Sequence, residues 1–99
     1  MRFSWDARKS VGNLRERGFD FAFATLIFDG PTLEKEDRRR DYGERRVIAL
    51  GEADGIGLAV VYTDRVDGGG ADSLRRIISA RVSNRRERQA YRQAIQPAS

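Results

Sequence analysis

Between Arg75 and Arg92 the chain carries seven arginines and one acid in eighteen residues, RRIISARVSNRRERQAYR. Arginine suits a phosphate chain, because its planar fork stays charged and can donate two parallel N–H bonds to one phosphate or carboxylate. Two other side chains in the segment could move a proton, Glu87 and Tyr91. Arg88 lies three residues before Tyr91, on the same side of any helix. A cation so placed favours the phenolate and lowers the phenol's pKa. Tyr91 could equally stack on a base, or simply pack as part of a thin apolar stripe with Ala90, Ala94 and Ile95. Glu87 stands three residues after Asn84, and that spacing already explains it as a helix cap. Taken one at a time, the arginines read as solvated surface. Taken together, they leave open a site for an anion.

The charge is unevenly spread. Residues 1–74 carry ten arginines, two lysines and fourteen acids, a net of −2, whereas residues 75–99 are at +6. A cationic region of that density suits an anionic partner such as nucleic acid, an acidic protein or a membrane surface. The chain contains no histidine and no cysteine. Disulfides and thiolate metal sites are therefore excluded, and the commonest neutral-pH base and metal ligand is missing. GGG at 68–70 lacks the Lys-Ser/Thr that would make it a phosphate-binding loop and reads as a linker. No apolar run is long enough to span a membrane, and MRFSWDARKS has no apolar core of a signal segment, so a cytoplasmic protein is expected.

The elements that must hold these residues fit one α+β domain over 1–99. RFSW alternates and reads as a short strand. Asp6 can cap a helix carrying Ala7, Val11 and Leu14 on one stripe and stopping at Gly18. Asp20 offers a second cap before FAFATLIF, which reads as a short buried helix, with a buried strand as the alternative. A polar, mixed-charge connection follows, with a possible short strand near Leu33. Within it the arginines at 38–40 sit among acids that can neutralise them locally. Three strands are then expected at 45–53, 56–63 and 74–81, the first two joined by an Asp54-Gly55 hairpin turn. A Gly-rich loop joins the second and third. The last helix should start at Asn84 and end before Pro97. Strict alternation along the third strand would put Arg75, Ile77, Ser79 and Arg81 on one face and Leu74, Arg76, Ile78 and Ala80 on the other. Arg45 or Arg46 could join the first set from a neighbouring strand. The whole predicts a small antiparallel sheet of three to four strands, with two N-terminal helices and one C-terminal helix.

Several separated motifs occur in order: FSWD with Lys9 and Asn13, FDFAFA, DYGERRVIALG, VVYTDR and RIISARVSNRRERQAY. In this the chain resembles the BrnT family of bacterial toxins. The resemblance covers almost the whole chain, with the Gly-rich loop at 67–73 as an insertion. It implies a RelE-like fold and a ribonuclease that arrests translation, cleaving RNA without a metal through attack of a ribose 2′-hydroxyl. It also implies a cognate antitoxin, typically with a ribbon-helix-helix region, that contacts operator DNA as a complex with the toxin. Neither a cofactor nor a membrane is implied. On that basis Arg81, Arg88 and Arg46 are candidates for the reacting phosphate, with Glu87 or Tyr91 for the proton. Arg17, Arg75 and Arg85 are candidates for neighbouring phosphates. Members of the family often read Lys-His-Gly at the end of the first helix, where this chain reads Glu16-Arg17-Gly18. Loss of that histidine keeps a second expectation open: a weakened homologue that binds an antitoxin or nucleic acid within an autorepressing complex.

Overall fold

A computed structural model describes residues 1–66 and 73–95. The Gly-rich stretch at 67–72 and the segment around Pro97 lie outside the described residues. The elements run β1 (Arg2–Trp5), α1 (Ala7–Arg17), α2 (Phe21–Ala24), a 3₁₀ turn (Thr25–Asp29), β2 (Leu33–Glu36), β3 (Val47–Ala53), β4 (Ile56–Val66), β5 (Ser73–Val82) and α3 (Arg85–Ile95). The strands form one sheet in the order β1-β5-β4-β3-β2. β2, β3, β4 and β5 pair antiparallel, whereas β1 pairs parallel to β5. The sheet is thus five-stranded and mixed, which corrects the expected antiparallel sheet of three to four strands. The reason is the crossover. β1 lies at one edge, and the chain then crosses one face of the sheet through α1 and α2 before it enters β2 at the other edge.

Local chemistry accounts for most of the element ends. Asp6 Oδ1 accepts the Arg8 and Lys9 amides at 2.8 and 3.3 Å and starts α1. Asp20 Oδ1 accepts the Phe23 amide at 2.8 Å and starts α2. Between β3 and β4, Asp54 and Gly55 both take positive φ, 51° and 79°, the conformation that a two-residue hairpin needs.

The core lies on the face covered by α1, α2 and the 3₁₀ turn. There Phe21, Ala24 and Ile27 meet Val47, Ala49, Leu58, Val60, Tyr62, Ile77 and Ala80. The expected stripe of α1 is not what it buries. Val11 and Leu14 are 56% and 51% exposed, and the buried residues of α1 are Ser10 and Asn13. Hydrogen bonding explains the orientation. Ser10 Oγ accepts the Phe21 amide at 3.0 Å, and Asn13 Nδ2 donates to the Phe19 carbonyl at 2.9 Å, so both tie α1 to the segment that leads into α2. α3 packs over the opposite face, against the β2–β3 side.

One irregularity decides which arginines share that second face. Val61 pairs with Ser79 but Tyr62 pairs with Ile77, so Ile78 is an extra residue in β5. Such a bulge reverses the alternation beyond it. Ile77 and Ala80 therefore both face the core, at 1% exposure each. Arg75 shares the face of Ile77, whereas Ser79 and Arg81 share the opposite face, opposite Val61 and Ala59 of β4. The set of four predicted from strict alternation is split in two.

Candidate nucleic-acid interface

The second face of the sheet carries a groove of about 510 Å³ beneath α3. Its floor is apolar, from Leu33, Ile48 and Leu50 of the sheet, with Ala90 of α3 above, and its rim is charged, from Lys35, Arg39, Arg81, Arg86 and Glu87. A second, smaller hollow beside it is lined by Arg17, Arg39, Ser79 and Arg81. Arg39 and Arg81 border both.

Arg81 and Glu87 form the best-defined pair at this site. Arg81 Nη1 and Nη2 donate to the two carboxylate oxygens of Glu87 at 2.7 and 2.8 Å, in the parallel arrangement that makes arginine–carboxylate pairs strong. Glu87 Oε1 also accepts the Asn84 amide at 2.9 Å, while Asn84 Oδ1 accepts the Glu87 amide at 2.8 Å. The capping box is therefore formed as its spacing predicts. The bond to Arg81, followed by that from the Asn84 amide, holds the Glu87 carboxyl below its ordinary pKa despite partial burial. Glu87 is thus an ionised acceptor at neutral pH, and the same pairing raises the pKa of Arg81.

Arg17 reaches the site around the edge of the sheet. Among the described residues, β1 pairs with Leu74–Ile77 alone, so β5 beyond Ile77 has β4 on one side and no strand on the other. Arg17 Nη1 donates to the carbonyl of Ala80 at 2.6 Å on that bare edge. Arg17 is thereby anchored beside Arg81.

The other candidates lie elsewhere. Arg75 points into the helix-covered face and is only 12% exposed. It is held by both oxygens of Asp64 at 2.8 and 2.9 Å, with the Tyr62 ring centroid 3.8 Å away. Arg46 stacks over the Tyr42 ring at 4.0 Å and pairs with Glu44 at 3.2 Å. Arg88 donates to the Ser83 carbonyl and lies along Gly57, on the far side of α3 from the groove. Arg85 is exposed at the start of α3 and makes no ion pair with a described residue. Tyr91 is buried, and its hydroxyl donates to the Pro31 carbonyl at 2.9 Å. Burial, aided by Glu52, raises the Tyr91 pKa, which corrects the expected lowering by Arg88.

The groove also contains residues that the sequence pattern did not single out: Lys35, Arg39 and Arg86. Alternation of β2 and the turn of α3 could have suggested Lys35 and Arg86 once the facing strands were known. Arg39 had no such signal, since its neighbouring acids accounted for it.

A family model for the ribonuclease toxin BrnT of type II toxin–antitoxin systems matches residues 5–87. The chain belongs to the BrnT family. A comparison with curated proteins gave no significant match. As a BrnT protein, the chain falls among ribonuclease toxins that have an antitoxin partner. The matched span includes Arg39, Arg81 and Glu87 of the groove and Arg17 of the adjoining hollow, and stops before Arg88 and Tyr91. No helix among the described residues is long and apolar enough to cross a membrane. No cluster of carboxylates among the described residues has the arrangement of a metal site.

Proposed function

We propose that the groove beneath α3 binds single-stranded RNA and cleaves it by intramolecular transesterification. The observation that carries the reading is the juxtaposition of a carboxylate, Glu87, with Arg81 in a groove rimmed by Arg39 and Arg86, with Arg17 in the adjoining hollow. The 2′-oxygen attacks the adjacent phosphorus and its proton passes to Glu87. The bond from phosphorus to the 5′-oxygen breaks, and that oxygen takes a proton from water. The products are a 2′,3′-cyclic phosphate and a 5′-hydroxyl. Negative charge builds on the phosphorane, and Arg81 with Arg17 offsets it. Losing one such preorganised donor typically costs about 2.7–4 kcal/mol, or about 10²–10³ in rate. These steps require no metal. Arg46, Arg88 and Arg85 are then at most peripheral, and Arg75 and Tyr91 serve packing.

The expected consequence in cells is inhibition of translation, relieved by a ribbon-helix-helix antitoxin that brings operator DNA to the complex. Purified protein incubated with RNA and a chelator should yield cyclic-phosphate ends. Arg81→Ala should lower the rate by about 10²-fold or more. Undiminished cleavage by that variant would remove Arg81 from the site.

One observation favours a second reading. Glu87 already holds two bonds from Arg81 and one from Asn84, and a carboxylate of lowered pKa is a weak base. A protein of this kind could bind antitoxin and nucleic acid without cleaving. Expression without a partner separates the two readings: growth arrest supports the nuclease, and harmless expression supports the binder.

A further inference from the structure

Arg39 is exposed, yet it is among the most firmly held side chains of the second face. Its anchor is Asp37, whose side chain is only 1% exposed. The Asp37 carboxylate accepts Arg39 Nε at 2.8 Å, Arg39 Nη2 at 2.9 Å, the Arg39 amide at 3.2 Å and the Tyr42 hydroxyl at 3.2 Å. The Asp37 amide in turn donates to the Arg46 carbonyl at 2.7 Å, next to the start of β3. A carboxylate buried to this degree is costly unless it is paired and hydrogen-bonded. Here those bonds fix the direction of the guanidinium that supplies them.

The guanidinium itself stays open to the groove. Arg39 is 68% exposed, and its Nη1 bonds to no described residue. It lines the groove and the adjoining hollow together with Arg81 in both. The two like charges oppose each other: Arg39 makes the protonation of Arg81 less favourable. The carboxylates of the groove do little to bridge them. Glu34 turns its carboxylate to the helix-covered face, where it accepts the Tyr62 and Thr32 hydroxyls at 2.6 and 2.7 Å, and Glu87 is taken by Arg81 and Asn84. Two held arginines on one rim, with one face of Arg39 unused, make a place where a bridging anion gains from both.

We infer that Arg39 is a second phosphate-binding arginine of the groove, with Asp37 and Tyr42 as the residues that position it. This rests on the reading of the groove as an RNA site. Holding the fork in place beforehand lowers the entropy lost when phosphate binds.

The test measures binding of a fluorescent single-stranded RNA carrying 2′-O-methyl groups, which cannot be cleaved by its own 2′-oxygens, as a function of salt. Arg39→Ala should weaken binding about tenfold, and the slope of log affinity against log salt should become shallower by about 0.7, the value for one phosphate contact on a single strand. Arg40→Ala removes the same charge from an exposed neighbour and should change neither. Asp37→Asn should reproduce most of the Arg39→Ala loss, and the double variant should lose no more than Arg39→Ala alone, which a purely structural Asp37 would not produce. If Asp37→Asn melts at the working temperature, Tyr42→Phe gives the milder version of the same comparison. Arg39→Ala behaving like Arg40→Ala, while Arg81→Ala still loses affinity, overturns the inference and leaves the RNA site intact. Unchanged binding in Arg39→Ala and Arg81→Ala alike overturns both.

Discussion

Glu87 caps α3 and is also the proposed base, and its surroundings predict how cleavage should respond to pH. As the proposed base it must be ionised, and the bonds from Arg81 and Asn84 hold its pKa below the ordinary glutamate value. The acid limb of the cleavage profile should therefore lie below about 4.3, the ordinary glutamate value, with no inflection between pH 5 and 8. The chain has no histidine to supply one. Glu87→Gln should abolish cleavage at every pH while retaining RNA binding. A profile of the wild-type protein with its midpoint near neutrality would point to a different base. Tyr91 gives a contrasting prediction at the same scale. Its hydroxyl is spent on the Pro31 carbonyl and its pKa is raised by burial. Tyr91→Phe should cost about 0.5–1.5 kcal/mol of stability, read from denaturant unfolding, and leave cleavage within a few-fold of the wild type. A loss of about 10² in rate with the fold intact would return Tyr91 to the chemistry.

At the level of elements, helix caps and the hairpin turn were legible in the sequence because each rests on a local hydrogen bond or a local φ. Asp6, Asp20, Asn84 and the Asp54-Gly55 turn all act as their types suggest. What was not legible depended on partners far away in the chain. The parallel pairing of β1 with β5 joins residues about seventy positions apart. The bulge at Ile78 has no turn residue to announce it, and it alone moves Arg75 away from Arg81. The position of Arg39 depends on the burial of Asp37, which a polar stretch of sequence does not disclose. Long-range packing also makes a prediction of its own. A Cβ added to Gly51 on β3 would sit 2.8 Å from Ile27 Cβ and 3.3 Å from Thr32 Cγ2. Ile27 is fully buried, so the 3₁₀ turn has little room to retreat. Gly51→Ala should destabilise the protein by about 1–3 kcal/mol, the usual range for overpacking. A melting temperature equal to that of the wild type would mean that the 3₁₀ turn can lift from the sheet without penalty.

For the whole molecule, the displaced ionisations should produce a flat stability plateau with two limbs. On the acid side, Asp6, Glu36, Asp37 and Glu87 all have lowered pKa values in the fold, each mainly through hydrogen bonds that favour the carboxylate. The unfolded chain binds protons to these groups at higher pH than the folded one does. Their contribution is thus fully present above the ordinary carboxylate values of about 4, and it is lost as pH falls through the lowered ones. Asp37, displaced furthest, gives up its share last. On the alkaline side, Tyr62 and Tyr91 are raised, in both cases first by burial, with Glu34 adding to the effect at Tyr62 and Glu52 at Tyr91. The unfolded tyrosines ionise near pH 10, so their contribution holds below about that value and declines as pH rises towards the folded values. Between these limbs no histidine is present to titrate. Melting temperatures measured from pH 3 to 11 at constant ionic strength should be level from about pH 5 to 9 and should fall on both sides. Asp37→Asn should flatten the lower part of the acid limb, and Tyr62→Phe the alkaline limb. A pronounced maximum near pH 6 in the wild-type protein would contradict this assignment of the groups that couple folding to protons.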